Sequence, residues 1–235
     1  MSGRRPGPAL PPSQLTIVWQ SVSLLLDYPD EDLLARVDLL RSASEALPVA
    51  IGDSLRTFLV HLESTPLPRL QADYVATFDT RRRCNRFLTY FAHGDTRKRG
   101  MALLRFKQTY LRAGFELDDA ELPDHLCVVL EFAATGDQVL GRDLMLDHRA
   151  GLELLRLSLR DMGSPWAGLV DAVTSTLPPL RGDELDAVRR LAAEGPPEEE
   201  VGLAPFANPQ FSPGAAAAVP GSIRLPMPSF PGARA

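Results

Sequence analysis

Residues 121–132, ELPDHLCVVLEF, place an acidic residue, a proline and an Asp-His pair directly before a run of apolar side chains. The stretch is open to three interpretations: a catalytic Asp-His pair, a metal site, or a buried helix that is polar at its start. Proline is favoured in the first turn of a helix, where its missing N–H needs no partner. We therefore predict that a helix begins at Pro123 and continues through Leu126, Val129 and Leu130.

Apolar side chains recur at steps of three or four residues in successive segments between residues 13 and 194, and this period indicates helices. No segment alternates between apolar and polar residues as a half-buried strand does. Ser13, Asp30 and Asp95 are expected to cap three of the helices, because their side-chain oxygens can accept hydrogen bonds from free backbone N–H groups. The predicted fold class is all-α, a single-domain helical bundle of about nine or ten helices over residues 13–194.

The composition changes at Gly195. Nine prolines fall between Pro196 and Pro231, beside a run of alanines. Such a segment buries too little apolar surface to offset the entropy that is lost on ordering. Residues 195–235 are therefore expected to form a disordered, proline-rich C-terminal tail.

Charge is distributed unevenly along a chain whose net charge is −5. Residues 74–115 contain ten arginines and lysines and two aspartates, whereas residues 116–137 contain seven acidic residues and no arginine or lysine. The two segments could pair with each other or face different partners. The negative net charge argues against a nucleic-acid-binding protein.

The arginines of residues 81–112 allow several interpretations. They could form a solvated face, a phosphate-binding patch, or the rim of a groove for a partner segment. Aromatic residues are interleaved with them, as on RNA-binding surfaces. However, Phe87, Leu88 and Phe91 lie at helical spacing, which is more typical of a core.

The N-terminal segment is predicted to be a core helix. Arg4 and Arg5 precede an apolar run at residues 15–26 and could be taken for an export signal, but prolines, among them Pro8, Pro11 and Pro12, separate them from that run and no small-residue cleavage site follows. No stretch approaches the roughly 20 apolar residues of a membrane span. Cys84 and Cys127 show no CxxC spacing and suit a reducing compartment. A cytoplasmic location is expected.

No set of residues in the sequence supports catalysis or a metal site. The histidines and cysteines are scattered, without a pair of histidines at i, i+4 or an HExxH motif, so no zinc site is predicted. Neighbours on a helix point about 100 degrees apart, so Asp124 and His125 could not orient each other as a catalytic pair. By chemistry alone, the stretch from residue 121 is either a plain helix cap or a binding surface.

Four segments together resemble the NarJ family of chaperones, which assemble respiratory nitrate reductase and belong to a wider TorD- and DmsD-like group. They are YVATFD at 74–79, the arginines at 81–83, LTYFAHGDTRKRGMALLRFKQTY at 88–110 and ELPDHLCVVLEFAATGD at 121–137. The group shares an acidic-x-Pro-Asp-His signature, which is matched by Glu121, Pro123, Asp124 and His125.

The resemblance covers residues 70–137, with further blocks at 24–30 and 202–206. The chain departs from the family pattern at residues 84–87, CNRF, where the family has a more hydrophobic run before LTY. This departure concerns the local contacts with a partner.

The resemblance implies a TorD-like, all-helical chaperone that is not an enzyme. Its relatives bind the N-terminal segment of the catalytic (alpha) subunit of nitrate reductase and hold the apoenzyme in the cytoplasm. Molybdenum guanine dinucleotide is inserted at this stage, before the complex docks on its membrane anchor. For this chain we therefore expect no stably bound cofactor, because the client handles the molybdenum cofactor. We also expect no nucleic-acid partner and no stable membrane insertion, and the oligomeric state stays open.

The resemblance also implies a groove for a client peptide, with ELPDH at its edge. A groove that binds an amphipathic helix needs an apolar floor and polar rim groups that fix the register. The residues assigned to client binding are Tyr74, Phe78, Arg82, Arg83, Tyr90, Glu121, Asp124, His125, Leu126 and Val129. If His125 lies at the rim, binding should depend on pH between about 5 and 8.

Two alternative functions are kept. The chain could be a chaperone for another molybdoenzyme, such as a dimethyl sulfoxide or trimethylamine N-oxide reductase. It could also be an arginine-rich, nucleic-acid-binding regulator that uses residues 81–107, in which case its binding would weaken strongly with salt.

Overall fold

Twelve α-helices joined by short turns make up most of the described chain. The computed structural model describes residues 10–94, 96–117 and 121–197. The helices are α1 (Pro12–Leu25), α2 (Glu31–Ala35), α3 (Val37–Glu45), α4 (Val49–Ser64), α5 (Leu67–Phe78), α6 (Tyr90–His93), α7 (Arg97–Arg112), α8 (Leu126–Glu131), α9 (Gln138–Asp147), α10 (Arg149–Asp161), α11 (Ala167–Ser175) and α12 (Asp183–Glu194). The all-α prediction is confirmed for the described residues, whose only β-type pairing is an isolated bridge between Phe87 and His125. None of these helices is both long and apolar enough to cross a membrane.

Two stretches with a continuous helical repeat of apolar residues, 31–45 and 138–161, each form two helices, so the described residues contain more helices than expected. The break between α2 and α3 lies at Arg36 (φ −95°, ψ 0°), and the break between α9 and α10 lies at His148 (φ −113°, ψ 23°). Both breaks fall within continuous repeats of apolar residues, because the helices on either side face the same core. The repeat of apolar residues therefore predicts which face of each helix is buried, but it does not predict where a helix is interrupted.

Helix α1 lies at the centre of the bundle, where it packs against α3, α8 and α11. It is buried on more than one side, through Val18, Trp19, Ser21, Val22, Ser23 and Leu25. Trp19 Nε1 donates a hydrogen bond to Thr176 Oγ1 at 3.0 Å, and Ser23 Oγ donates to the Cys127 carbonyl of α8 at 2.8 Å. These bonds give partners to polar atoms that the packing would otherwise leave buried and unsatisfied.

One of the three predicted helix caps is confirmed. Asp30 Oδ1 accepts a hydrogen bond from the Leu33 N–H at 2.7 Å at the start of α2, as predicted. The cap predicted at Ser13 is wrong, because α1 begins at Pro12 and Pro11 occupies the capping position. Prolines are tolerated at this end of the helix because N–H groups in the first helical turn have no partner within the helix. The cap predicted at Asp95 and the predicted tail beyond residue 197 lie outside the described residues.

Helix α10 approaches α6 closely at Gly151. A Cβ atom at this position would lie 2.5 Å from Cδ2 and 2.7 Å from Cβ of Phe91. Phe91 is only 3% exposed and cannot easily move aside. The absence of a side chain at Gly151 therefore sets the distance between the two helices.

We predict that Gly151→Ala destabilises the chain by about 1–3 kcal/mol, because the added methyl group overpacks the contact with Phe91. Gly100→Ala is the matched control, since Gly100 also lies inside a helix but a Cβ there meets nothing within 4 Å. The control should gain up to about 1 kcal/mol through helix propensity. Urea unfolding followed by circular dichroism measures both changes. Equal stability of Gly151→Ala and the unchanged chain would contradict a fixed contact.

Candidate functional site

The segment before α8 pairs with a segment that lies far away in the sequence. Leu88 N–H donates to the Asp124 carbonyl at 3.0 Å, and Leu126 N–H donates to the Arg86 carbonyl at 2.9 Å. These two hydrogen bonds flank the antiparallel bridge between Phe87 and His125. The polar residues before α8 are thus fixed by extended pairing.

This pairing overturns the predicted start of the helix. Helix α8 begins at Leu126, and His125 precedes it in an extended conformation (φ −64°, ψ 131°). The prediction of a helix start at Pro123 is therefore wrong, because long-range backbone pairing has replaced the first helical turn. Asp124 lies in a turn closed by the hydrogen bond from the His125 N–H to the Leu122 carbonyl, and its side chain is buried in the core. His125, the extended residue that follows, lines a surface pocket.

Asp124 is a fully buried carboxylate that joins three parts of the chain. Its Oδ2 accepts hydrogen bonds from the Thr89 N–H at 3.1 Å and from the Thr89 hydroxyl at 2.5 Å. The same oxygen lies 3.4 Å from Arg99 Nη2 of α7 in an ion pair. Beside it, the Tyr110 hydroxyl donates to the Pro123 carbonyl at 2.6 Å. Asp124 therefore connects its own segment to Thr89 and to α7 inside the protein, and its carboxylate is not on the surface.

Arg86 is stacked on the two aromatic rings at the end of α5. Its guanidinium carbon lies 4.7 Å from the centre of the Tyr74 ring and 5.0 Å from that of Phe78. It also donates a hydrogen bond to the Tyr74 hydroxyl and lies 3.7 Å from a carboxylate oxygen of Asp79. The Tyr74 hydroxyl donates in turn to the Leu26 carbonyl at 3.1 Å, and burial raises the pKa of Tyr74. Arg86 thereby joins α5 to the segment that pairs with the start of α8.

A pocket of about 540 Å³ opens at the C-terminal end of α1, beside α5 and the start of α8. Its apolar and aromatic lining residues are Leu24, Tyr28, Tyr74, Phe87, Leu122 and Val128. Its other lining residues are Asp27, Asp79, Glu121, Glu131, Arg86, His125, Ser23 and Cys127. We call it the α1–α8 pocket.

The charge of the α1–α8 pocket is negative. Four of its lining residues are carboxylates, and Arg86, the one cation among them, is paired with Asp79. Glu121 and Glu131 both lie on the exposed edge. An apolar interior with carboxylates at its edge suits a ligand that has apolar side chains and positive charges.

The structure separates the residues that were assigned to client binding. Tyr74, Glu121 and His125 line the α1–α8 pocket. Leu126 and Val129 are 0% exposed and pack in the core, so they do not provide an open apolar floor in this structure. Client contact through any of these residues stays a prediction.

Phe78 is likewise buried, beneath the guanidinium of Arg86. Sequence reasoning missed Arg86, although Tyr74 and Phe78 lie at i, i+4 and Arg86 is part of the CNRF departure. It also missed most of the lining residues, including Tyr28, although residues 24–30 were noted as part of the family resemblance.

The other assigned residues, Arg82, Arg83 and Tyr90, do not line this pocket. Arg82 Nε donates to the Tyr90 hydroxyl at 2.9 Å. Arg82 Nη2 donates to the Pro196 carbonyl at 3.2 Å and to the Pro197 carbonyl at 3.0 Å. Arg82 therefore binds the backbone of Pro196 and Pro197, which follow α12.

The titratable groups of the pocket do not form a reactive centre. Burial, with a smaller contribution from the nearby positive charge of Arg86, lowers the pKa of His125 to about 3. His125 is therefore neutral at physiological pH, which argues against the expected pH dependence of binding between about pH 5 and 8. Burial also raises the pKa of the Cys84 and Cys127 thiols, which makes them unreactive. In the described part of the chain, no three His, Cys, Asp or Glu residues are grouped to hold a metal ion.

A family model described as the nitrate reductase delta subunit matches residues 44–171, which is more than half of the chain. The chain belongs to this family, and the resemblance predicted from the sequence is confirmed.

Individual relatives show the same similarity. The chain is 38% identical over 167 residues to the nitrate reductase-like protein NarX of Mycobacterium tuberculosis, covering 68% of this chain and 24% of NarX. It is 33% identical over 166 residues to NarJ of Bacillus subtilis, named as a probable nitrate reductase molybdenum cofactor assembly chaperone, covering 68% and 88% of the two chains. This chain thus spans about a quarter of NarX and most of NarJ. The prediction that it is a chaperone and not an enzyme agrees with the name of the NarJ relative.

A solved structure assigned to redox enzyme maturation, from Archaeoglobus fulgidus, is 22% identical in sequence. It superimposes with a TM-score of 0.48, and the alignment covers 75% of this chain and 94% of that chain.

We predict that Asp124→Asn destabilises the fold by roughly 2–4 kcal/mol, because it removes a buried carboxylate that pairs with Arg99 and accepts two hydrogen bonds from Thr89. The matched control is Asp147→Asn, which breaks the exposed Arg105–Asp147 pair, 2.7 Å apart with side chains 69% and 43% exposed. The control should cost less than about 1 kcal/mol. Chemical denaturation of the unchanged chain and the two variants measures their free energies of unfolding. Similar losses in both variants would contradict a stabilising role of the buried Asp124 carboxylate.

We also predict that His125 makes the fold less stable in mild acid. The pKa in the folded chain, about 3, lies below the ordinary value of 6.5, so the unfolded chain binds more protons as the pH falls below 6.5. Between pH 7 and 5, this linkage should remove roughly 2 kcal/mol from the free energy of unfolding. His125→Gln should show a correspondingly smaller loss over that range in denaturant titrations. If both chains lose the same amount, His125 is not buried in its neutral form.

Proposed function

We propose that this chain is an assembly chaperone for respiratory nitrate reductase and that it binds the N-terminal segment of the catalytic subunit in the α1–α8 pocket. The observation that carries the proposal is an apolar pocket edged by carboxylates in a member of the nitrate reductase delta subunit family. Binding precedes insertion of molybdenum guanine dinucleotide and docking on the membrane anchor. The client handles the cofactor, and the chaperone acts in the cytoplasm.

The pocket chemistry supports a short amphipathic helix as the ligand. Such a helix presents apolar anchors on one face, which would enter between Leu24, Leu122 and Phe87. Basic side chains next to the anchors would meet Glu121 and Glu131 at the edge. The pocket volume, about 540 Å³, lies in the usual range for small-ligand sites and suits a few side chains.

The same chemistry bears on the alternatives. In the α1–α8 pocket a nucleic acid would bring phosphates against Asp27, Glu121 and Glu131, and like charges repel. The nucleic-acid alternative that uses the arginines of residues 81–107 is tested separately, by salt-dependent binding of RNA or DNA. A different molybdoenzyme would remain a suitable client if its N-terminal segment combined apolar and basic residues. A comparison of client peptides therefore decides the identity of the enzyme.

We predict that a synthetic peptide of roughly the first 20 residues of the nitrate reductase catalytic subunit from the same organism binds the full chain with a negative heat-capacity change. Leu122→Ser should weaken binding about 5- to 30-fold, because one apolar anchor contact is lost. Leu104→Ser is the matched control, since Leu104 on α7 is 46% exposed, close to the 42% of Leu122, and lies outside the pocket. Titration calorimetry measures the affinities.

Absence of binding at high micromolar peptide, with the chain folded by circular dichroism, would overturn the proposed function. Tighter binding of the corresponding peptide from a dimethyl sulfoxide or trimethylamine N-oxide reductase would instead reassign the client. Equal losses in Leu122→Ser and Leu104→Ser would remove the α1–α8 pocket from the binding site.

A further inference from the structure

A second, smaller pocket of about 220 Å³ adjoins α8. It is lined by Tyr110, Phe115, Glu116, Leu117, Val128, Glu131, Phe132 and Thr135. Val128 and Glu131 also line the α1–α8 pocket, so the two pockets meet along one edge of α8. We call the second one the aromatic pocket.

Three aromatic rings contribute to the wall of the aromatic pocket, and Phe132 contacts the other two. The Phe132 ring centre lies 4.6 Å from that of Tyr110 and 5.8 Å from that of Phe115. A Cβ at Gly136 would lie 2.8 Å from Cδ2 of Phe132 and 3.0 Å from Cε2 of Phe115, so the bare backbone of this glycine allows the rings to approach. Tyr110 is only 2% exposed and its hydroxyl donates to the Pro123 carbonyl, so Tyr110 supports the inner wall of the pocket and offers no free polar group.

The aromatic pocket is negatively charged, like the α1–α8 pocket. Its ionisable residues other than Tyr110 are Glu116 and Glu131, both exposed carboxylates. Phe115 is 43% exposed although it packs against the Phe132 ring, so part of its side chain is open to solvent. A volume below the usual range for ligand pockets suits one large side chain.

We propose that the two pockets form one composite site and that the client segment places an apolar side chain in each, with a basic side chain between them facing Glu131. The continuity of the lining at Val128 and Glu131 carries this inference, and the matching acidic edges give the bound segment its charge. The proposal rests on the proposed function and adds to it the pattern of the client: apolar, basic, apolar. Selection among clients then depends on both anchors.

The test uses the full chain and the same nitrate reductase peptide as probe. Thr135→Trp adds a large side chain to an exposed position in the wall of the aromatic pocket, and Phe115→Ser removes the exposed ring. Each should weaken peptide binding about 5- to 30-fold, as expected for one lost anchor. Val139→Ser is the control, because Val139 is 67% exposed and lines neither pocket, and it should leave the affinity unchanged.

The role of Glu131 is tested by a double-mutant cycle. Glu131→Gln is combined in turn with replacement of each basic residue of the peptide by glutamine. At one peptide position, the two replacements together should weaken binding less than the product of their separate effects, by a factor of roughly 3 or more. That basic residue is then the one that contacts Glu131.

The outcomes separate this inference from the proposed function. If Leu122→Ser weakens binding but Thr135→Trp and Phe115→Ser do not, with all chains folded by circular dichroism, the composite site is wrong and the proposed function stands. If no basic position couples to Glu131, the assigned pattern of the client is wrong. If the unchanged chain does not bind the peptide at all, the proposed function fails, and the composite site fails with it.

Discussion

The buried carboxylate of Asp124 is the interaction on which the candidate site depends. A charge in the interior has to be compensated by an opposite charge and by hydrogen bonds, and Asp124 obtains these from Arg99 and from Thr89. The three residues belong to separate parts of the chain, which the carboxylate therefore holds in register. The next residue, His125, is extended and lines the pocket wall, where its ring lies 5.1 Å from that of Phe87.

The arrangement of charges follows from the same principle. The arginine-rich segment directs several guanidinium groups to carboxylates of the protein, since Arg86 pairs with Asp79 and Arg99 pairs with Asp124. Arg86 and Arg99 also lie over aromatic rings, which a flat, weakly hydrated cation does at little cost. The acidic segment that follows keeps Glu131 at the surface. The arginine-rich segment thus contributes Arg86, paired with Asp79, to a pocket whose exposed edge is negative.

The sequence predicts the fold class, the family and part of the site, for identifiable reasons. Helical period reports local geometry and burial, so it locates the helices and their inner faces but not the bend at His148. The extended pairing of His125 with Phe87 joins distant segments, and no local pattern reports it. Leu126 and Val129 were assigned to a groove from their apolar character, which does not distinguish the floor of a groove from a core.

Two apolar anchors with an exposed ionic edge suit a partner that must later be released. Fully burying one large apolar side chain contributes about 1.5–3 kcal/mol, and an exposed ion pair contributes about 0.2–1 kcal/mol. A dissociation constant of about 1 μM corresponds to roughly 8 kcal/mol net, after the cost of association. Two anchors and the carboxylates of the edge together do not reach this figure, so by themselves they support an affinity weaker than about 1 μM. Charge at the edge mainly affects the rate of encounter and the orientation, so the apolar anchors set how fast the client leaves.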